Sequence, residues 1–182
     1  MSRADFDDFL KRQDSMSAQT KPVDPVVQLE EWRAHLAKLY QRVQQLLRQY
    51  AEKGVAQISF RKVEIHEEFS GPYHVDAMDL RIAGSLIVFQ PVGTMLIGAK
   101  GRVDIKGPKG VMRLVLIRAD VTQPSQLIRV RVMIAGEPQQ DEQVPDRTAD
   151  WVWKISPPPP VTRYIELNED SFFDLLLNVA GQ

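Results

Sequence analysis

The chain of 182 residues contains no cysteine. A disulfide framework, a thiolate metal site and a cysteine nucleophile are therefore excluded, and a reducing compartment is the natural home. No stretch approaches the roughly 20 apolar residues of a membrane helix. The longest candidate, FFDLLLNVA (172–180), is short and carries Asp174 and Asn178. The N-terminus, MSRADFDDFLKRQDSMSAQ, lacks the positively charged start and apolar stretch of a secretory signal. Cytoplasmic placement with no membrane association is the expectation. Enzyme signatures are missing too. There is no phosphate-loop lysine, no Gly-x-Ser-x-Gly elbow, no His-Glu-x-x-His helix, and no Gly-x-Gly-x-x-Gly opening a helix after a strand. An enzyme is disfavoured and no cofactor is expected. No internal repeat is present.

What is there belongs to a soluble globular chain: 43% hydrophobic and 26% charged, with three Trp, seven Phe and four Tyr. The length suits one domain with a sizeable core. Net charge is only −1, but it is segregated. Residues 97–134 hold eight Lys and Arg against Asp104 and Asp120, a net +6, which leaves −7 for the rest.

Residues 1–24 read as a docking segment and linker preceding a single domain over 25–182. Phe6, Phe9 and Leu10 fall at i, i+3 and i+4, one small apolar stripe if helical, and QDSMSAQTKPVDPV follows as a polar linker. So short a helix has no core of its own and must dock on the body, on a second copy or on a partner, or else stay disordered.

From Pro25 the period becomes helical, with Leu29, Trp32, Leu36, Leu39, Tyr40, Val43, Leu46, Leu47 and Tyr50 on one side. Asp24 suits the N-cap, Pro25 the first turn and Gly54 the stop. After Gly54 the pattern turns to β, in segments beginning AQISF, HVDAM, SLIVF, TMLIG, VMRLV, QLIRV, DWVWK and TRYIE, separated by short turns. A last helix, capped by Asn168, is so rich in apolar side chains that burial nearly all round, or between the sheet and another chain, is expected. The reading is an α+β fold: a long amphipathic helix on a mostly antiparallel meander of about six to eight strands, open or partly closed into a barrel, ended by a short apolar helix.

Alternation sharpens the basic region. With GPKG as the connection, Lys106 lies opposite Val111, Asp104 opposite Arg113 and Arg102 opposite Val115. Val103, Ile105, Met112, Leu114 and Leu116 then form a core face, while Lys100, Arg102, Lys106 and Arg113 collect on the other. Arg129 and Arg131 join them if the next hairpin turns through DVTQPSQ. No aromatic interleaves with these cations, as single-strand nucleic-acid binders usually require, and Asp104 with Arg113 reads as a cross-strand pair.

One set of side chains has metal-ligand or proton-transfer chemistry. If SGPY closes a hairpin, Glu67 meets Asp76 and Phe69 meets His74, bringing Glu67, His74 and Asp76 together. His66 and His35 read as surface residues. SPPPP (156–160) reads as a rigid extended connection, and Trp151 and Trp153 as core. Three functions stay open. The first is a non-enzymatic protein-interaction module (adaptor, regulatory or assembly subunit) acting on a protein partner or as a homo-oligomer, through Phe6, Phe9, Leu10, Phe172 and Phe173. The second is a nucleic-acid-binding accessory protein using the basic face. The third is a small metal-dependent or acid/base enzyme at Glu67, His74 and Asp76.

Overall fold

Asp24 opens the first helix, α1 (Pro25–Glu52), by accepting a 3.0 Å hydrogen bond from the Val26 backbone N–H. Gly54, left-handed at φ +71°, ends it just beyond the last turn, where a side chain would be strained. The computed structural model describes residues 24–68, 70–94, 98–127 and 150–181. Within α1 the apolar stripe buries Trp32, Leu36, Leu39, Tyr40, Val43 and Leu47, while Tyr50 at the far end is exposed.

Seven strands follow: β1 (Ala56–Glu67), β2 (Gly71–Ile82), β3 (Ser85–Gly93), β4 (Gly101–Gly107), β5 (Gly110–Arg118), β6 (Trp151–Ser156) and β7 (Ile165–Glu166). Each pairs antiparallel with the next in chain order, an open meander edged by β1 and β7. Ala83 and Gly84, both at positive φ, make the tight turn between β2 and β3, the twist that two-residue hairpins favour. The segment expected as a strand from Thr94 pairs with β5 only from Gly101, and TRYIEL contributes only Ile165 and Glu166. The strand expected over QLIRVRVMIA lies, beyond Leu127, outside the described residues; β5 pairs with β6 instead. Past the prolines the chain turns at Pro159 and Pro160, rather than running straight, and Val161 N–H donates to the Pro158 carbonyl at 3.3 Å.

The β1–β2 register differs from the expectation. Glu67 faces Gly71, Glu64 faces His74 and Lys62 faces Asp76. Starting the second strand at Gly71 places Tyr73 opposite Ile65 and buries both side chains, whereas the expected register left Tyr73 in the turn. Only Met78–Ile82 of β2 pairs with β3. The distal half of the hairpin instead follows α1: Tyr40 Oη donates to the Asp76 carbonyl at 2.6 Å and Arg33 to the His74 carbonyl at 3.0 Å. The buried pleat accordingly switches between Ala77 and Met78, and side chains from both halves enter one core.

The second helix, α2 (Glu169–Val179), starts with a reciprocal cap in which Asn168 Oδ1 accepts from Ser171 N–H at 2.9 Å and Ser171 Oγ accepts from Asn168 N–H at 3.0 Å. It buries Phe172, Leu175, Leu176 and Val179, an i, i+3, i+4, i+7 stripe. Burial all round does not hold, because Leu177 projects opposite that stripe and is 70% exposed.

Two glycines of β4 show that both helices share one side of the sheet. A Cβ on Gly101 would overlap the Trp32 ring of α1, and one on Gly107 would overlap the Val179 carbonyl of α2. Gly101, Val103, Ile105 and Gly107 lie on the same pleat. Arg102, Asp104 and Lys106 occupy the other, which no helix among the described residues covers.

Candidate interaction face

The β4–β5 hairpin has the register read from its alternation: Lys106 opposite Val111, Asp104 opposite Arg113, Arg102 opposite Val115. Its helix-free pleat is not uniformly charged. Arg102 grips Asp104 through two bonds, Nε to Oδ1 at 2.7 Å and Nη2 to Oδ2 at 2.9 Å, so the expected Asp104–Arg113 pair does not form. The Arg102 fork engages both carboxylate oxygens, and the equally forked Arg113, one strand away, is left outside the pair. Lys100 leaves the group altogether. Its Nζ pairs with Glu31 of α1 at 2.9 Å and sits 4.9 Å from the Trp151 ring centre. Arg129 and Arg131 lie outside the described residues.

Lys106 and Arg113 remain. Both are exposed, and among the described residues neither has a carboxylate within ion-pair distance. Between them on the same pleat Val111 is 51% exposed, and Lys109 projects from the adjoining turn. Towards β1 the pleat carries a paired polar band, in which Arg61 binds Asp79 at 3.2 Å and Gln90 at 3.2 Å. Towards β6 it is closed. Lys154 is 2% exposed and donates to the carbonyls of Ala119 and Val121, each at 2.8 Å, which holds that turn across the sheet with Ile117 and Val121 buried near it.

Glu67, His74 and Asp76 do not come together. Glu67 lies on the buried pleat, where its carboxylate accepts from Thr94 N–H at 2.6 Å and from Tyr73 Oη at 2.7 Å. Gly93 makes room for it: its φ is +145° and a Cβ there would come 2.6 Å from Glu67 Oε1. Burial, then the bond to Glu67, pushes the Tyr73 phenol well above its ordinary range, and burial followed by the Asp76 charge does the same to Tyr40; both hydroxyls serve as donors. On the outer pleat His74 Nε2 lies 3.5 Å from Glu64 and His66 Nε2 3.1 Å from the same carboxylate, while Asp76 pairs with Lys62 at 2.8 Å. Among the described residues no set of three His, Asp and Glu side chains is placed to hold a metal ion.

His35, expected at the surface, is half-buried against β6, its carbonyl accepting from Trp153 Nε1 at 3.3 Å. Burial, with Lys100 and Lys38 nearby, lowers its imidazole below the ordinary 6.5, Glu31 opposing. The folded chain thus keeps His35 neutral where the unfolded chain takes a proton, so stability falls as pH drops below that value. Replacing His35 with Gln should flatten the pH slope of urea stability between about pH 7 and 5. An unaltered slope would show that other groups set it.

Phe6, Phe9 and Leu10 lie outside the described residues. Phe172, expected at a partner surface, is 1% exposed in the core, because the stripe that seats α2 on β4 and β5 includes it. Phe173 is half-buried, edge-on to Phe172 at 5.5 Å and to Tyr50 at 5.8 Å. The outward side of α2 instead presents Asp170, Asp174 and Leu177, all exposed; their i, i+4, i+7 spacing was the available signal. Among the described residues no helix is long and apolar enough to cross a membrane. No protein-family model matches the chain, and comparison with curated proteins and with solved structures finds no similar protein.

Proposed function

We propose that the protein is a non-enzymatic interaction module whose helix-free sheet face, at the β4–β5 hairpin, docks an acidic protein surface. One observation carries this reading: Lys106 and Arg113 are exposed cations that have no carboxylate partner among the described residues, set beside an exposed Val111. The charges would steer and orient the encounter, and the valine would supply desolvated contact at its centre. A phosphate backbone would be drawn to the same cations, but Arg102, Asp104, Lys106, Val111, Arg113 and Val115 include no aromatic on which bases could stack, and Asp104 stands among them. The protein partner is therefore favoured over nucleic acid.

Lys106→Glu with Arg113→Glu should weaken partner binding by at least about tenfold without altering the thermal melt, since both side chains are exposed. The check is crosslinking capture from the native host at low and high salt, followed by quantitative mass spectrometry, with labelled single-stranded and duplex oligonucleotides as a parallel arm. Equal capture by wild type and double variant would overturn the reading. Oligonucleotide binding lost only in the variant would replace it with the nucleic-acid alternative. A chain lacking residues 1–13 reads separately whether Phe6, Phe9 and Leu10 add a second contact.

A further inference from the structure

The geometry points to a specific occupant for the β4–β5 face, the outward stripe of α2 in a second copy of this chain. The inference rests on the reading that this face docks an acidic protein surface. Two patches on the molecule match each other in charge and in apolar content. Asp170, Asp174 and Leu177 stand at i, i+4 and i+7, within about 60° around the helix, and so form one stripe. Leu177, at 70%, is the most exposed large apolar side chain among the described residues. Neither aspartate, nor the adjoining Glu169, has a Lys or Arg within ion-pair distance among the described residues. The sheet patch is the reciprocal, two cations unpaired among the described residues around one exposed valine.

Within a single chain these patches cannot meet. The buried stripe of α2 rests on the inner pleat of β4 and β5, with Val179 against Gly107, so its acidic stripe points away from one side of the two-layer block. Lys106, Val111 and Arg113 point away from the other. Contact is possible only between copies, head to tail, and such a contact uses two different surfaces, so each added copy leaves one of each patch free. The association should be weak, concentration-dependent and sensitive to salt, because it rests on solvent-exposed charge around a small apolar centre.

Sedimentation velocity of the purified full chain tests this, at protein concentrations up to about 100 µM in buffers of about 20 mM and 500 mM salt, where screening differs severalfold. Wild type should gain mass with concentration at low salt and lose it at high salt. Asp170→Lys with Asp174→Lys, and separately Lys106→Glu with Arg113→Glu, should each be monomeric, and an equal mixture of the two should associate again because each supplies the charge the other lacks. Circular dichroism melts confirm that each double variant is folded, and Leu177→Ser gives an uncharged check that should also reduce association. A wild type that stays monomeric throughout, or a mixture that fails to associate, overturns the inference. Loss of association in the sheet variant alone, with the helix variant unaffected, also overturns it while leaving the docking face in place, which the capture of other proteins reads independently.

Discussion

Replacing Trp32 with alanine should lower the unfolding free energy by about 3–5 kcal/mol, the range for deleting a buried large aromatic ring. Trp32 is 1% exposed, lies against Trp153 with ring centres 6.0 Å apart, and covers Gly101 so closely that no Cβ fits there. Gly101→Ala alone should therefore cost about 1–3 kcal/mol, because the strand or the helix must shift to admit the methyl group. The decisive result is the double variant. Once the indole is gone the new methyl has room, so Gly101→Ala should be close to neutral in the Trp32→Ala background, and the two effects should fall short of their sum by roughly the whole overpacking cost. Urea unfolding followed by far-ultraviolet circular dichroism measures all four species. Additive effects would mean that helix and strand do not meet at this point. The indole N–H is buried and has no acceptor among the described residues. Trp32→Phe sheds that cost along with part of the ring, so it should lose only about 1–2 kcal/mol.

The second large effect belongs to Lys154. Its ammonium is buried and bound to two backbone carbonyls, those of Ala119 and Val121, and although Glu166 faces it across the β6–β7 ladder, that carboxylate is not its partner. Hydrogen bonds to a charged donor contribute about 1.5–3 kcal/mol each, and removing the donor leaves both acceptors poorly satisfied. Lys154→Met keeps most of the aliphatic stem and should still cost about 2–4 kcal/mol. The loss should appear first as local opening: amide exchange should accelerate at Ala119, Val121 and Tyr164, whose N–H groups bond to Asp150, Arg118 and Thr122, before it does so in β2 or β3. Protection unchanged at those three amides would show that the turn holds without the lysine.

Much of this architecture was legible because periodicity is a local property. The α1 stripe, its Asp24 cap and Gly54 stop, the Asn168 cap of α2, and the whole β4–β5 register follow from which side chains repeat and where turn residues fall. Side-chain partners were not legible in the same way. Arg102, Asp104 and Arg113 share a pleat by alternation, but which of the two arginines holds the carboxylate depends on the side-chain conformations of the folded sheet. Lys100 was drawn off by Glu31, a residue 69 positions away.

The β1–β2 hairpin shows the limit most clearly. Its alternation is compatible with more than one pairing, and the choice went to the register that buries Tyr73 against Ile65, which scattered Glu67, His74 and Asp76. Composition and spacing by themselves determined that this chain is an α+β protein with an antiparallel meander, and that one pleat of β4–β5 is basic. Only the tertiary structure decided that both helices lie on the opposite pleat, so that Lys106, Val111 and Arg113 stay uncovered, and that α2 turns Leu177 outward. Side-chain period is set by the backbone of each element alone, whereas exposure and charge pairing depend on which elements pack together, and that is settled by the free energy of the assembled core.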